Sequence, residues 1–267
     1  MSMQGLLVTI PHAGEKIPDQ TPWLSKLPEQ ILMFDVDRFV DRLYEGTLQE
    51  LKIPYVKTEW HRYAVDLNRV PTDIDQGTVI GATETAGKFS RGYHWAITTQ
   101  KHSLMPAPMT KKLHDELTQL IFEPFHKNIV SEVSRLKGLG AQRIYHIDLH
   151  SMPSVGTSEH RDPGEKRAEI VVSDVDGKSC SAAFKDLVIS AYEKAGFKVA
   201  YNWPYKGGRI TEQYGNPSQN HHCIQVELNR SLYMDEVSKK LDSVKAGELQ
   251  KKLRSALQNV VKEITNL

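Results

Sequence analysis

The sequence predicts an α/β fold: a three-layer sandwich with a mostly parallel or mixed central sheet and helices on both faces. Short segments rich in β-branched residues recur at 6–10, 53–58, 143–149, 169–174, 198–202 and 223–228. Longer amphipathic segments lie between them. The chain has 267 residues, of which 39% are hydrophobic and 25% charged. That is ordinary for a globular protein and enough for one large core, so one domain is expected over residues 1–267.

The first strand, Leu6-Leu7-Val8-Thr9-Ile10, is followed by Pro11-His12-Ala13-Gly14-Glu15. Residues 29–51 then carry Ile31, Leu32, Phe34, Phe39, Val40, Leu43 and Leu48 at helical spacing. Residues 109–137 repeat that period through Leu113, Leu117, Leu120, Ile121, Phe125, Ile129, Val133 and Leu136. Pro124 interrupts the pattern but the period continues, which predicts one helix with a kink. Segments 180–195 and 245–265 are also amphipathic. The stretch 70–108 holds Pro71, Gly77, Gly81, Gly87, Gly92, Pro106 and Pro108 with little periodicity, and is long for a plain connection. It reads as an active-site loop or lid. The Gly-rich, basic stretch 204–216 reads the same way. It lacks the spacing of a phosphate-binding loop, so no nucleotide is implied.

Bulk properties exclude several function classes. Net charge is +1, so no global basic field argues for nucleic acid, and an acidic substrate needs a local cluster of Arg. Cys180 and Cys223 are far apart in sequence and read as reduced thiols in a cytoplasmic protein. The first residues lack the basic and long apolar regions of a secretion signal. No run approaches the roughly 18 apolar residues needed to span a membrane.

Strand ends gather functional groups in such sheets. His12 and Glu15 follow one strand, and His150 closes another, in Ile147-Asp148-Leu149-His150. Two nearby ligands and one distant ligand at strand ends make a common zinc-site pattern. A His2Glu set leaves one position open for water, which the metal can activate. Singly, each residue reads as a turn, surface or core residue; jointly they read as a metal site. Asp148 shares the face of His150 and could orient a ligand or cap a helix. Glu227 sits in an apolar strand, where an unpaired carboxylate is costly to bury. It is the candidate general base, with a salt bridge to Arg230 or another Arg as the structural alternative. Arg62, Asn68 and Arg69 offer guanidinium and amide donors suited to a carboxylate. Arg91, Arg161 and Arg209, each near Gly or Pro, are further candidates. The adjacent pair His221-His222 points in divergent directions and is not read as a site. Ser151 lacks the surroundings of a nucleophile elbow.

Taken together, the motifs resemble the N-formylglutamate amidohydrolase (deformylase) family, related to the zinc carboxypeptidases and the aspartoacylase-like deacylases. The matching pieces are Pro11-His12-Ala13-Gly14-Glu15-Lys16-Ile17-Pro18, Val65-Asp66-Leu67-Asn68-Arg69, Ile147-Asp148-Leu149-His150-Ser151-Met152, Asn202-Trp203-Pro204-Tyr205-Lys206-Gly207-Gly208-Arg209-Ile210-Thr211, Tyr214-Gly215 and Gln225-Val226-Glu227-Leu228-Asn229-Arg230. They run in the family's order from residue 8 to about residue 234. The resemblance implies a phosphorylase/hydrolase-like, zinc carboxypeptidase-like sandwich with one zinc ion (Zn2+) on His12, Glu15 and His150. It implies Glu227 as the group that activates water, and Arg62 as a second catalytic residue. Asn68, Arg69, Arg161, Arg209 and Thr211 are then the expected substrate contacts. The expected reaction is hydrolysis of N-formyl-L-glutamate, a small acidic N-acyl amino acid, to formate and L-glutamate. The alternatives are a zinc amidase or carboxypeptidase for another N-acyl amino acid or peptide, and, in another class, a non-catalytic anion-binding protein on the same fold.

Overall fold

Six strands form one sheet: β1 Gly5–Ile10, β2 Tyr55–Lys57, β3 Ile144–Met152, β4 Ile170–Ser173, β5 Val199–Tyr201 and β6 His221–Asn229. The computed structural model describes residues 5–75, 77–82 and 91–267. The strand order is β2-β1-β3-β6-β4-β5. β2, β1, β3 and β6 are mutually parallel. β4 runs antiparallel to β6 and parallel to β5. This is the mixed sheet expected, and each strand falls on its predicted segment. Every residue of β1, β3, β4 and β6 is buried, because helices cover both faces.

The helices are α1 Glu29–Leu32, α2 Val40–Glu50, α3 Lys111–Leu117, α4 Glu123–Gly138, α5 Ala182–Lys194, α6 Arg209–Tyr214 and α7 Ser243–Glu263. Side chains alternate across each strand, so each strand feeds two cores. Val8, Ile10, Ile147, Leu149, Ile224 and Val226 pack with α2, α5 and α7. Leu7, Ile144 and Cys223 pack with Leu117, Ile121, Phe125, Ile129 and Leu136 of the α3–α4 run on the other face. That second face changes character along the strands. Towards the carboxyl ends of β1, β3 and β6 its positions become Thr9, Asp148, His150, Gln225 and Glu227, all buried. The site lies there.

Two helical expectations meet physical complications. The segment 109–137 is continuous, as expected, but Thr118–Phe122 is a wide π-type turn. Pro124 follows it and carries no N–H for the carbonyl four residues back, so the ladder widens before the proline. The segment 29–51 is not one helix. It divides into α1 and α2, and residues 33–39 leave the helical path. The Asp37 N–H donates to the His12 carbonyl at 3.0 Å, and Phe39 adopts φ 70°. The apolar spacing bridges this gap by coincidence, since Phe34 and Phe39 each pack without being helical. Of the loop 70–108, residues 76 and 83–90, Gly87 included, lie outside the described residues.

Beyond β1 the chain runs against residues 59–61. The Lys16 N–H donates to the Glu59 carbonyl and the His61 N–H to the Lys16 carbonyl, both at 2.8 Å. Gly14 makes this approach feasible, because a Cβ there would collide with the Glu59–Trp60 backbone. Gly46 stands exposed in α2, with open space where a Cβ would lie. Gly14→Ala should therefore destabilise the protein by about 1–3 kcal/mol. Gly46→Ala should stabilise it by up to ~1 kcal/mol. Urea unfolding of both variants checks this pair; equal stability of the two would contradict the packing described.

Candidate metal centre and active site

Three donors converge at the carboxyl ends of β1 and β3. His12 follows β1, Asp37 lies in the segment between α1 and α2, and His150 lies near the end of β3. One ligand atom from each falls within 4.8 Å of the others, and all three residues are buried. Asp37 Oδ2 is 3.0 Å from His150 Nδ1 and 3.5 Å from His12 Nδ1. The far nitrogens are tied back to carboxylates: His12 Nε2 to Asp66 Oδ1 at 2.7 Å, and His150 Nε2 to Asp148 Oδ2 at 2.8 Å. Holding each Nε2 in this way turns both Nδ1 atoms towards Asp37 and orients them as ligand donors. His12 Nδ1 is buried and makes no hydrogen bond, although Asp37 lies close, because the pair is misaligned. An orphaned imidazole nitrogen beside a second one and a carboxylate is the donor set a divalent metal requires.

The surroundings stabilise the carboxylates as anions. Arg230 Nη2 donates to Asp37 Oδ1 at 3.0 Å, and Arg62 Nη2 to Asp66 Oδ2 at 2.9 Å. Thr9 Oγ1 donates to Asp148 Oδ1 at 2.6 Å. Trp95 Nε1 donates to Asp66 Oδ2 at 3.0 Å. Burial alone would raise Asp37, but its contacts with His12 and His150 outweigh that and hold it well below the usual carboxylate range. Asp66 is likewise held well below its usual range, with His12 and Arg62 outweighing burial. Burial disfavours a charged His150, yet Asp148 and Asp37 hold its pKa well above the usual value.

Glu227 lies directly beside His150 in the β3–β6 register. It is 6% exposed and lines a cleft of about 780 Å³ together with His12, Asp37 and His150. Arg230 is engaged by Asp37, Ser151 and the Phe34 carbonyl, and it forms no salt bridge with Glu227. Instead, Glu227 accepts a hydrogen bond from Gln225 Nε2 at 2.8 Å. Burial, the largest effect, pushes Glu227 up to about 7; His150 lowers it and Asp37 adds to the rise. A carboxyl group poised near neutrality in a cleft is suited to proton transfer.

Cationic groups line the same cleft: Arg62, Arg69, Arg91 and Arg161. The Arg69 Nη1 donates to the Asn68 carbonyl at 2.7 Å and its Nε to the Arg91 carbonyl at 2.5 Å. Asn68 is fixed by its Oδ1, which accepts from the Ile210 N–H at 2.7 Å. Its Nδ2 makes no hydrogen bond among the described residues. Arg91, Trp95, Thr99 and Gln100 come from the loop 70–108, and Pro204 to Gly208 from the stretch 204–216. Both stretches therefore contribute to the cleft wall, as expected.

Three expected site residues lie apart from the donor cluster or the cleft lining. Glu15 is not in the donor cluster; its place is taken by Asp37. Past Ile10 the chain is irregular, so His12 and Glu15 do not share a face. The Glu15 carboxylate is instead held by Arg38 Nε at 3.0 Å and Nη2 at 3.2 Å. Arg209 does not line the cleft, since its Nη2 is held by both oxygens of Asp73 at 3.0 and 2.9 Å. Thr211 does not line it either. Its hydroxyl accepts from the Gly208 N–H and donates to the Gly208 carbonyl, closing the first turn of α6. Sequence reasoning missed Asp37, and gave Asp66 no role. A signal for Asp37 exists in Phe34-Asp35-Val36-Asp37, where two acids interrupt an apolar pattern. The adjacent His221 and His222 diverge: His222 Nδ1 accepts from the Ser181 N–H, while His221 lies by Tyr214.

Relatives of known name are similar to this chain in sequence and fold. The N-formylglutamate deformylase of Pseudomonas putida is 29% identical over 233 residues, covering 86% of this chain and 82% of that protein. The N-formylglutamate deformylase of Pseudomonas aeruginosa is 30% identical over 237 residues, with the same coverage. The crystal structure of an N-formylglutamate amidohydrolase from Ralstonia eutropha superposes with a TM-score of 0.86 at 23% identity, covering 100% of this chain and 96% of the other. The gene product Atu2144 from Agrobacterium tumefaciens gives a TM-score of 0.69 at 17% identity, covering 97% of this chain and 93% of the other. A sequence model of the family described as N-formylglutamate amidohydrolase matches residues 4–234, and the chain belongs to that family.

Proposed function

We propose that this protein is a zinc-dependent amidohydrolase that cleaves the linear amide of N-formyl-L-glutamate to formate and L-glutamate. The observation that carries the reading is a buried Glu227, poised near neutrality, beside an oriented His-Asp-His donor set in a cleft lined by arginines. The activity of the two deformylase relatives supports the substrate. His12, Asp37 and His150 would hold the metal, and two imidazoles with one carboxylate suit zinc. When bound, such an ion supplies Lewis acidity and makes water more acidic.

The chain's own residues carry the remaining steps. Glu227 accepts a proton from the attacking water and returns it to the leaving nitrogen. The water oxygen joins the formyl carbon, the C–N bond breaks, and the products are formate and the amine of L-glutamate. Asn68 Nδ2 and Arg69 would hold the α-carboxylate, one carbon from the scissile nitrogen. Arg62 is already engaged by Asp66 and the Asp35 carbonyl, so its role is to place fixed positive charge near the developing oxyanion. Trp95, with the Arg62 guanidinium 4.7 Å from its ring centre, screens that charge from water. Arg161, exposed at the rim, would meet the substrate on entry. No described helix is long and apolar enough to cross a membrane. Cys180 and Cys223 are buried free thiols, and unpaired thiols support a cytoplasmic setting.

Glu227→Gln should keep the fold and the metal while lowering kcat by roughly 10²–10⁴-fold, because an amide cannot accept the proton. Steady-state kinetics with bound zinc measured alongside checks this. A near wild-type rate would transfer the base role to another group. Asp66→Asn should weaken zinc binding by about 10–100-fold through loss of the carboxylate that orients His12. Competition with a chromophoric chelator reads this, and unchanged affinity would show that His12 needs no such support.

A further inference from the structure

After β6 and one short turn, the chain forms a hairpin, β7 Met234–Asp235 and β8 Lys240–Leu241. It carries Glu236, Val237 and Lys239 to the cleft wall. Lys239 is only 5% exposed. Its Nζ stands 4.4 Å from the centre of the Phe34 ring and pairs with no carboxylate among the described residues. The carboxylates that act on it are committed elsewhere. Glu236 accepts from the Ser154 N–H at 3.1 and 3.2 Å. Asp235 accepts from the Val237 and Ser238 N–H groups. Asp35 accepts from the Tyr63 and Thr99 hydroxyls. Burial, then Arg230, lowers the Lys239 ammonium to about 8 against the pull of these acids.

A buried cation without an anionic partner is costly. This one is also held in place. Lys239 adopts φ 59°, and its carbonyl accepts from Arg38 Nη1 at 2.8 Å. Arg38 is itself held by Glu15 and Glu29. Glu15 therefore anchors the turn that presents the lysine. Lys239 reaches the cleft from the β7–β8 hairpin, whereas Arg69 reaches it from the segment that follows Asp66. The two cations thus enter one cleft from different segments of the chain.

We propose that Lys239 is a specificity-determining residue that binds the side-chain carboxylate of the substrate. This rests on the functional reading above. The α-carboxylate, one carbon from the scissile bond, belongs on the Asn68–Arg69 wall beside Asp66. A side-chain carboxylate several bonds further out needs a second cation, and Lys239 is that cation. A chain with net charge +1 thereby favours a dianionic amino acid through two local contacts.

The test compares N-formyl-L-glutamate with its neutral near-isostere N-formyl-L-glutamine. The zinc-loaded wild type, Lys239→Met and Lys239→Arg are assayed, with thermal melting confirming that each is folded. The ratio of kcat/KM for the charged over the neutral substrate should fall roughly 10–150-fold in Lys239→Met and recover in large part in Lys239→Arg. An unchanged ratio in folded Lys239→Met would overturn the proposal. Wild-type protein that hydrolyses neither substrate would refute the functional reading instead. Calorimetry with L-glutamate and L-glutamine then decides on Lys239. Loss of the preference for glutamate in Lys239→Met supports its role, and equal affinities of wild type and variant refute it.

Discussion

Asp37 is the group around which the site is organised. It is a deeply buried carboxylate, and such a charge is tolerated only with close partners. One oxygen meets Arg230 at 3.0 Å and the other meets His150 at 3.0 Å. The same side chain therefore ties the end of β6, the end of β3 and the segment between α1 and α2. Its own N–H is tied to the His12 carbonyl, which brings in the exit from β1. Removing it would leave Arg230 and two imidazoles facing one another without the anion that separates them. The alternation of charge extends outward, since Asp66 and Asp148 hold the far sides of the two rings. Each ring thus lies between two carboxylates. That alternation converts a cluster of titratable groups into a rigid donor set.

The sheet accommodates this charge arrangement by confining it. On one face the middle of β1, β3 and β6 is apolar and covered by α2, α5 and α7. On the other face the apolar cover by α3 and α4 ends where the strands turn polar. The cleft occupies that end, closed by loops instead of a helix. Glu227 belongs to the polar rows but is displaced from the ring of alternating charge. With Arg230 committed to Asp37, Glu227 is left with the neutral Gln225 amide as its hydrogen-bond donor. Burial first, and the nearby Asp37 charge after it, push its pKa up.

Much of this was legible in the residues. Strands were readable because short runs rich in β-branched residues recur between the helical segments. His12, His150 and Glu227 were readable because ionisable side chains at the ends of such runs are anomalous. Asp37 was not, because Phe34, Phe39 and Val40 continue a helical spacing across a segment that is not helical. The resulting expectation of one helix over 29–51 hid the two acids within it. Glu15 was overvalued for the opposite reason. Three-residue spacing brings side chains together on a helix, but the chain after β1 is irregular, and Arg38 captures the carboxylate. Arg209 and Thr211 sit inside a matching motif, yet Asp73 and the α6 first turn take up their polar atoms. Motif position located these residues without revealing which way each side chain turns.

The central claim, a metal held by His12, Asp37 and His150, is tested most directly by anomalous X-ray diffraction from crystals of the protein loaded with zinc. The expected result is one ion bonded to Nδ1 of His12, Nδ1 of His150 and the Asp37 carboxylate, with Zn–N distances of about 2.0–2.1 Å, and with Glu15 still held by Arg38. An ion bonded to Glu15, or one placed away from Asp37, would contradict it.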